Sequence, residues 1–245
     1  MSSDTTIYGI HSVTRLLSAR PDRFERLLIS AQRDDAAIRL LLASANDNGI
    51  AVERCANAEL DRLVSGGNHQ GVVARLSPAP LLDESGLLSL LDERPTPLLL
   101  ILDGVQDPHN LGACLRTAEA AGADAVIIPK DRAVGLTPAV RKVAAGSADF
   151  IPLARVTNLA RVLGQLTERG IWCYGAAADA TTSLYQIDLS GPVCLVLGGE
   201  GQGLRRLTRE RCDGLFSVPM KGGTESLNVS VTAGVCLFEA SRQRL

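Results

Sequence analysis

Lysine is scarce in this chain: of 25 basic residues, 22 are arginine, and Lys130, Lys142 and Lys221 are the whole lysine complement. Cys-x-x-Cys pairs are absent, and the three histidines form no set at ligand spacing, so neither a zinc site nor any other metal centre has support. The six cysteines, Cys55, Cys114, Cys173, Cys194, Cys212 and Cys236, lie mostly in apolar strings such as Val193-Cys194-Leu195, where a thiol acts as a small hydrophobe. Buried thiols and a reducing, cytoplasmic setting are expected, not a disulfide framework. No run approaches the roughly 20 apolar residues that span a bilayer. Asp4, Thr5, Thr6 and His11 also interrupt the region where a secretory leader needs unbroken apolar sequence, so neither export nor membrane insertion is expected. Positive excess is lacking too. Formal net charge is −2, from 25 basic and 27 acidic residues, and this removes the simplest electrostatic case for a nucleic-acid partner. The arginine skew suits phosphate recognition by a planar guanidinium fork, although genome base composition accounts for it equally well.

What is present is apolar side chain. At 46% hydrophobic and mean hydropathy +0.13, the 245 residues can bury a real core, in one large domain or two modest ones. Two are expected. Ser77-Pro78-Ala79-Pro80 and Arg94-Pro95-Thr96-Pro97 bracket an acidic, Leu-rich stretch and predict a linker at 77–95 between domains at 1–76 and 96–245. In the first domain, Val13, Leu16 and Leu17 predict a helix, Arg26–Ser30 a strand and Ile38–Ala45 a helix closed by Gly49. Ile50–Glu53 then predicts a strand, Ala58–Val64 a helix and Val72–Leu76 a strand. The second domain alternates apolar strands (Leu98–Asp103, Ala125–Ile128, Ile171–Ala176, Val193–Leu197) with helices (Asn110–Ala121, Thr137–Ala145, Asn158–Glu168). That alternation predicts an α/β fold with a parallel sheet covered on both faces.

Ligands of open parallel sheets bind at the carboxyl ends of strands, and three stretches there carry unusual chemistry. The first runs from Asp103 through Asp107-Pro108-His109-Asn110-Leu111-Gly112-Ala113 to Arg116. Either Asn110 caps a helix whose Arg116 faces solvent, or both serve a pocket at the helix start. The six-residue step separates them by about 120° around the helix. The second, Leu197-Gly198-Gly199-Glu200-Gly201-Gln202-Gly203-Leu204, lets backbone amides approach a ligand closely, unless it is a plain turn. It fits neither G-x-G-x-x-G nor the Walker A pattern, and Glu200 at its centre would repel phosphate. A nucleotide-like ligand without phosphates fits better. The third, Val218-Pro219-Met220-Lys221-Gly222-Gly223-Thr224-Glu225-Ser226-Leu227-Asn228-Val229-Ser230, joins a glycine loop to a helix start. Ser226 is a candidate cap, and Asn228 in an apolar run needs a partner from protein or ligand.

Asn110-Leu111-Gly112-Ala113 with Arg116, Leu197-Gly198-Gly199-Glu200-Gly201 and Ser226-Leu227-Asn228-Val229-Ser230 resemble, in order and spacing, the SpoU/TrmH family of S-adenosylmethionine-dependent RNA ribose 2′-O-methyltransferases, of the knotted SPOUT class. The resemblance covers roughly 96–245. Tyr8-Gly9-Ile10-His11 and Asn68-His69-Gln70-Gly71-Val72 resemble the substrate-binding extension of family members that modify a guanosine in the peptidyl-transferase region of 23S ribosomal RNA. The resemblance implies a trefoil knot in the C-terminal domain, a small α/β RNA-binding domain before it, and a homodimer. It further implies S-adenosylmethionine held by Leu197, Gly198, Gly199, Val218, Met220 and Leu227, with Arg116, Asn110, Glu200, Ser226 and Asn228 as the catalytic set. The family's arginine is sometimes described as a base, but guanidinium is effectively always protonated. Arg116 is therefore expected to position a phosphate and stabilise the developing alkoxide.

Four arginines in seven positions, Arg205, Arg206, Arg209 and Arg211, are candidate RNA contacts or a solvated helix face. His11 and His69 are open between base stacking and turn capping, and His109 is expected to be a loop residue and not a general base. Transfer RNA is the second substrate expected, because the catalytic domain is shared between transfer-RNA and ribosomal-RNA enzymes. A non-catalytic RNA-binding protein is opposed by the intact Asn110, Arg116, Glu200 and Asn228. A small-molecule enzyme using a nucleotide is opposed by the failed phosphate fingerprints.

Overall fold

In a computed structural model that describes residues 5–64, 66–77, 81–201, 203–224 and 226–245, the chain divides into two units, Met1–Ala79 and Pro80–Leu245. In the first, β1 (Thr5–Tyr8) and α1 (Ile10–Ala19) precede β2 (Phe24–Ser30), α2 (Ala36–Asp47), β3 (Val52–Cys55), α3 (Asn57–Val64) and β4 (Val72–Leu76). The sheet runs β1-β4-β2-β3, parallel between β2 and β3 and antiparallel elsewhere. Val13, Leu16 and Leu17 form the buried stripe of α1. The strand expected at 50–53 starts later because the Ile50 N–H donates to Ala45 O at 2.9 Å and closes α2. His69 braces its loop: Nε2 lies 3.0 Å from Asp61 Oδ1, and Nδ1 accepts from the Gly71 N–H at 2.9 Å. It is a turn-fixing residue, while His11 is exposed.

The second unit contains α4 (Glu84–Asp92), β5 (Leu98–Asp103), α5 (Pro108–Ala120), β6 (Ala125–Pro129), α6 (Pro138–Ala144), β7 (Leu153–Val156) and α7 (Leu159–Glu168). It continues through β8 (Trp172–Ala176), β9 (Val193–Gly198), α8 (Arg206–Glu210), β10 (Gly214–Phe216) and α9 (Val229–Gln243). Its six strands are all parallel, in the order β10-β8-β9-β5-β6-β7. The continuous apolar run of β5 is explained by burial on both faces. Leu98, Leu100 and Leu102 pack with Leu111 of α5 and Leu237 of α9, while Leu99 and Ile101 pack with Leu87 of α4 and Leu163 of α7. The short β7, β10 and α8 carry too little periodic pattern to be read from sequence. At the C-terminus, the Arg244 guanidinium donates to the carbonyls of Leu189, Thr96 and Pro97, which ties the end of α9 to the start of β5.

One expectation is corrected here. Much of the stretch read as a linker at 77–95 is folded: Asp83 caps α4 by accepting from the Gly86 N–H at 2.8 Å, and Glu84 pairs with Arg161. The reason is amphipathicity, since Leu87 and Leu91, four apart, enter the core beneath the sheet. Proline brackets and acidic charge mask that spacing. Pro78 and Pro80 lie outside the described residues.

Cys55, Cys114, Cys173, Cys194 and Cys236 are buried free thiols and Cys212 is half-buried. Burial pushes the Cys114 and Cys236 thiols up to about 12. No helix among the described residues is long and apolar enough to cross a membrane.

Leu87→Ala is expected to cost about 2–4 kcal/mol in denaturant unfolding, as for a fully buried leucine. A loss below about 0.5 kcal/mol would mean that α4 is not part of this core.

Candidate active site

Asp107, not Asn110, caps α5: its side chain accepts from the His109 N–H at 3.0 Å, and Pro108 takes the first helical position. Asn110 thus sits in the first turn with its amide buried, and it needs partners. Its Nδ2 donates to Glu200 Oε1 at 2.7 Å and its Oδ1 accepts from Asn228 Nδ2 at 3.0 Å. Asn228 Nδ2 also donates to Glu200 Oε1 at 3.0 Å. A closed triangle of polar side chains therefore joins segments 90 and 118 residues from Asn110 in sequence. The Oδ1 of Asn228 accepts from the Ser230 N–H at 2.9 Å and caps α9. Ser226 was the candidate for that role. Asn228 takes it because an amide both accepts at the helix start and donates to the cluster, which a serine hydroxyl at 226 does not do in this fold.

The glycine loop after β9 is fixed by close approach. A Cβ on Gly198 would lie 2.1 Å from the carbonyl carbon of Gly203, so only glycine permits the loop to fold back there. The Gly199 N–H donates to Asp103 O at 2.9 Å. The Asp103 carboxylate, with no exposed side-chain surface, accepts from the Arg205 N–H at 3.0 Å and pairs with its guanidinium. Asp103 was legible in the sequence only as the polar end of an apolar strand. Its signal is a carboxylate where a buried parallel strand should still be apolar.

Arg205 thus closes the loop through its pair with Asp103. Arg206 pairs with Glu210 at 2.8 Å and Arg209 with Asp179 at 2.8 Å. Glu210 lies one helical turn from Arg206, whereas Asp179 and Asp103 are brought in by the fold from 30 and 102 residues away, and Arg211 has no ion pair among the described residues.

A cleft of about 510 Å³ opens at the carboxyl ends of β8, β9 and β10 beside the start of α9. Leu197, Gly198, Gly199, Val218, Met220 and Leu227 all line it, as do Glu200, Ser226 and Asn228. Asn110 reaches it through Glu200 and Asn228. Arg116 does not line it: exposed on α5 and about 120° from Asn110, it makes no hydrogen bond or ion pair among the described residues. Gln202 and Glu225 lie outside the described residues. The cleft's volume suits a small cofactor, and its aliphatic walls and close-packed glycine backbone suit an uncharged heterocycle. Gly198, Gly199, Gly201 and Gly203 line the cleft with main chain, which fits a ligand recognised by backbone groups.

The family described as SpoU rRNA Methylase matches residues 97–238, and the one described as RNA 2′-O ribose methyltransferase substrate binding matches residues 6–82. The 23S rRNA (guanosine-2′-O-)-methyltransferase RlmB of Coxiella burnetii is 54% identical over 245 residues, covering 100% of this chain and 98% of that protein. RlmB of Photobacterium profundum is 51% identical over 244 residues, covering 100% of this chain and 99% of its own. Among solved structures, the SpoU methyltransferase AviRb from Streptomyces viridochromogenes, in complex with the cofactor AdoMet, is similar with TM-score 0.74 and 25% identity. That match covers 98% of this chain and 90% of AviRb. The TrmH/SpoU tRNA modifying enzyme of A. aeolicus is similar with TM-score 0.56 and 28% identity, over 66% of this chain and 82% of its own.

Asp103→Ala is expected to cost about 2–3 kcal/mol, less than the roughly 3–5 of a fully buried pair because Arg205 is 38% exposed. Amide exchange at Gly199 and Arg205 should rise with it. Unchanged stability and exchange would remove the pair from the loop's support.

Proposed function

Because the chain belongs to the SpoU rRNA methylase family, we propose that it methylates a guanosine ribose 2′-hydroxyl in the peptidyl-transferase region of 23S rRNA, using S-adenosylmethionine. The observation that carries this is the cleft in which the expected cofactor residues meet the Asn110–Glu200–Asn228 triangle.

When bound, S-adenosylmethionine supplies a methyl group activated by a sulfonium. Leu197, Val218, Met220 and Leu227 would enclose the adenine, with Gly198 and Gly199 offering main-chain contacts. Holding the ribose oxygen in line with that methyl supplies much of the rate. A ribose hydroxyl is a poor nucleophile at neutral pH, so its developing charge needs stabilising. We assign that to Arg116, as a fixed cation that also positions a phosphate. Asn110, Glu200 and Asn228 hold one another in a single arrangement, and with Ser226 they orient the ribose.

Arg116 stands outside the cleft of its own chain, on a helix that packs against α9. Val231 and Phe238 of α9 are 51% and 52% exposed, with Val235 between them at helical spacing. Two exposed apolar side chains with a half-buried valine between them support the homodimer reading, with Arg116 acting near the join of two copies. The trefoil knot and a cytoplasmic setting belong to the same proposal. We read the first unit, whose sequence matches a substrate-binding family, as the part that holds the RNA by shape and 2′-hydroxyl contacts. Transfer RNA is the second reading, favoured by the shared catalytic fold and opposed by the full-length similarity to ribosomal-RNA enzymes.

The direct test incubates the chain with labelled S-adenosylmethionine and unmodified 23S rRNA and maps 2′-O-methyl groups at nucleotide resolution. One methylated guanosine in the peptidyl-transferase region is expected, and transfer to bulk transfer RNA alone would favour the second reading. Arg116→Lys should lower turnover about 100-fold or more with cofactor affinity little changed. Equal losses in turnover and affinity would sink the assignment of Arg116.

A further inference from the structure

Three charged side chains line the cleft among the described residues: Asp179, Glu200 and Arg209. Glu200 is committed to the amides of Asn110 and Asn228. That leaves Asp179, just beyond the carboxyl end of β8, and Arg209, on α8. They face each other in a two-pronged pair, Nη1 to Oδ1 at 3.0 Å and Nη2 to Oδ2 at 2.8 Å. The aliphatic walls explain how an adenine is received. They offer nothing to the other end of S-adenosylmethionine, an ammonium and a carboxylate on one carbon.

We propose that Arg209 binds the carboxylate and Asp179 the ammonium of that amino-acid end, the ligand's two charges replacing each other's partner in the resting pair. This rests on the cofactor reading above. Charge decides it: Arg209 is the one cation among the described lining residues, so a carboxylate entering the cleft has no other guanidinium or ammonium to meet there. Geometry agrees, because the two head groups are adjacent in one cleft, within reach of an ammonium and a carboxylate carried on a single α-carbon. Opening the pair costs little. Its side chains are 68% and 40% exposed for Asp179 and Arg209, and exposed ion pairs contribute weakly to stability, whereas a guanidinium bonded to a ligand carboxylate in a partly closed cleft makes stronger, forked bonds. The Arg209 pair accordingly belongs to the cofactor and not to an RNA phosphate.

Calorimetric titration of the full chain with S-adenosylmethionine and with 5′-methylthioadenosine tests this. The second ligand keeps the adenosine and a thioether sulfur but lacks the ammonium, the carboxylate and the sulfonium charge. S-adenosylhomocysteine, which keeps the amino-acid end without the sulfonium, is therefore titrated beside it and should weaken like S-adenosylmethionine in each variant. Arg209→Gln and Asp179→Asn should each weaken S-adenosylmethionine about tenfold or more and leave 5′-methylthioadenosine within about twofold, which also shows that the variants are folded. Arg209→Lys should recover part of the loss. Equal weakening of S-adenosylmethionine and 5′-methylthioadenosine would overturn the proposal and place the pair in the adenosine site or in loop support. Unchanged cofactor binding with weaker RNA binding would overturn it in favour of a phosphate contact. If the unaltered chain binds none of the three ligands, the cofactor reading itself fails.

Discussion

A single carboxylate oxygen, Glu200 Oε1, accepts from the amides of both Asn110 and Asn228, and the cleft takes its shape from that junction. The three residues come from three separate crossings of the sheet's carboxyl edge: the start of α5, the glycine loop after β9 and the cap of α9. Asn110 is buried, where an unpaired amide is costly, and the other two residues satisfy both ends of it from the open side of the cleft. Each member here satisfies the next. Asn228 carries the heaviest load, since its Oδ1 holds the first turn of α9 while its Nδ2 closes the triangle.

Below that junction, Asp103 performs the matching task for the main chain. Its carbonyl holds Gly199 and its carboxylate holds Arg205, so both flanks of the glycine loop are fastened to the end of β5. The fold supplies the anchor because β5 is central and buried on both faces, so its last residue is firmly held where the loop hangs from it. Chemistry at the cleft is thus placed by a strand end and two helix starts, and the glycines allow the backbone to pass between them.

Much of this was legible in the sequence. The apolar strands β5, β6, β8 and β9 are continuous hydrophobic runs of strand length, and the helices between them announce themselves by period and cap. The six expected cofactor residues fall in one cleft because strand ends in a parallel sheet share an edge. What stayed hidden was pairing across long separations. Nothing local indicates that Asp103 meets Arg205, 102 residues on. The Asp107 cap of α5 was legible, since an aspartate directly before a proline is a helix-start signal. The helix α4 was concealed by prolines that read as linker punctuation, though Leu87 and Leu91 already had helical spacing. Arg116 was identified by motif alone. Its outward position follows from helix geometry once Asn110 points inward.

That three sequence-distant segments form one cofactor cleft is tested most directly by amide hydrogen exchange of the full chain with and without saturating S-adenosylmethionine. Slower exchange is expected at 197–201, 216–220 and 226–232 together, with residues 5–64 little changed. No protection at those segments, or protection spread evenly over the chain, would contradict it.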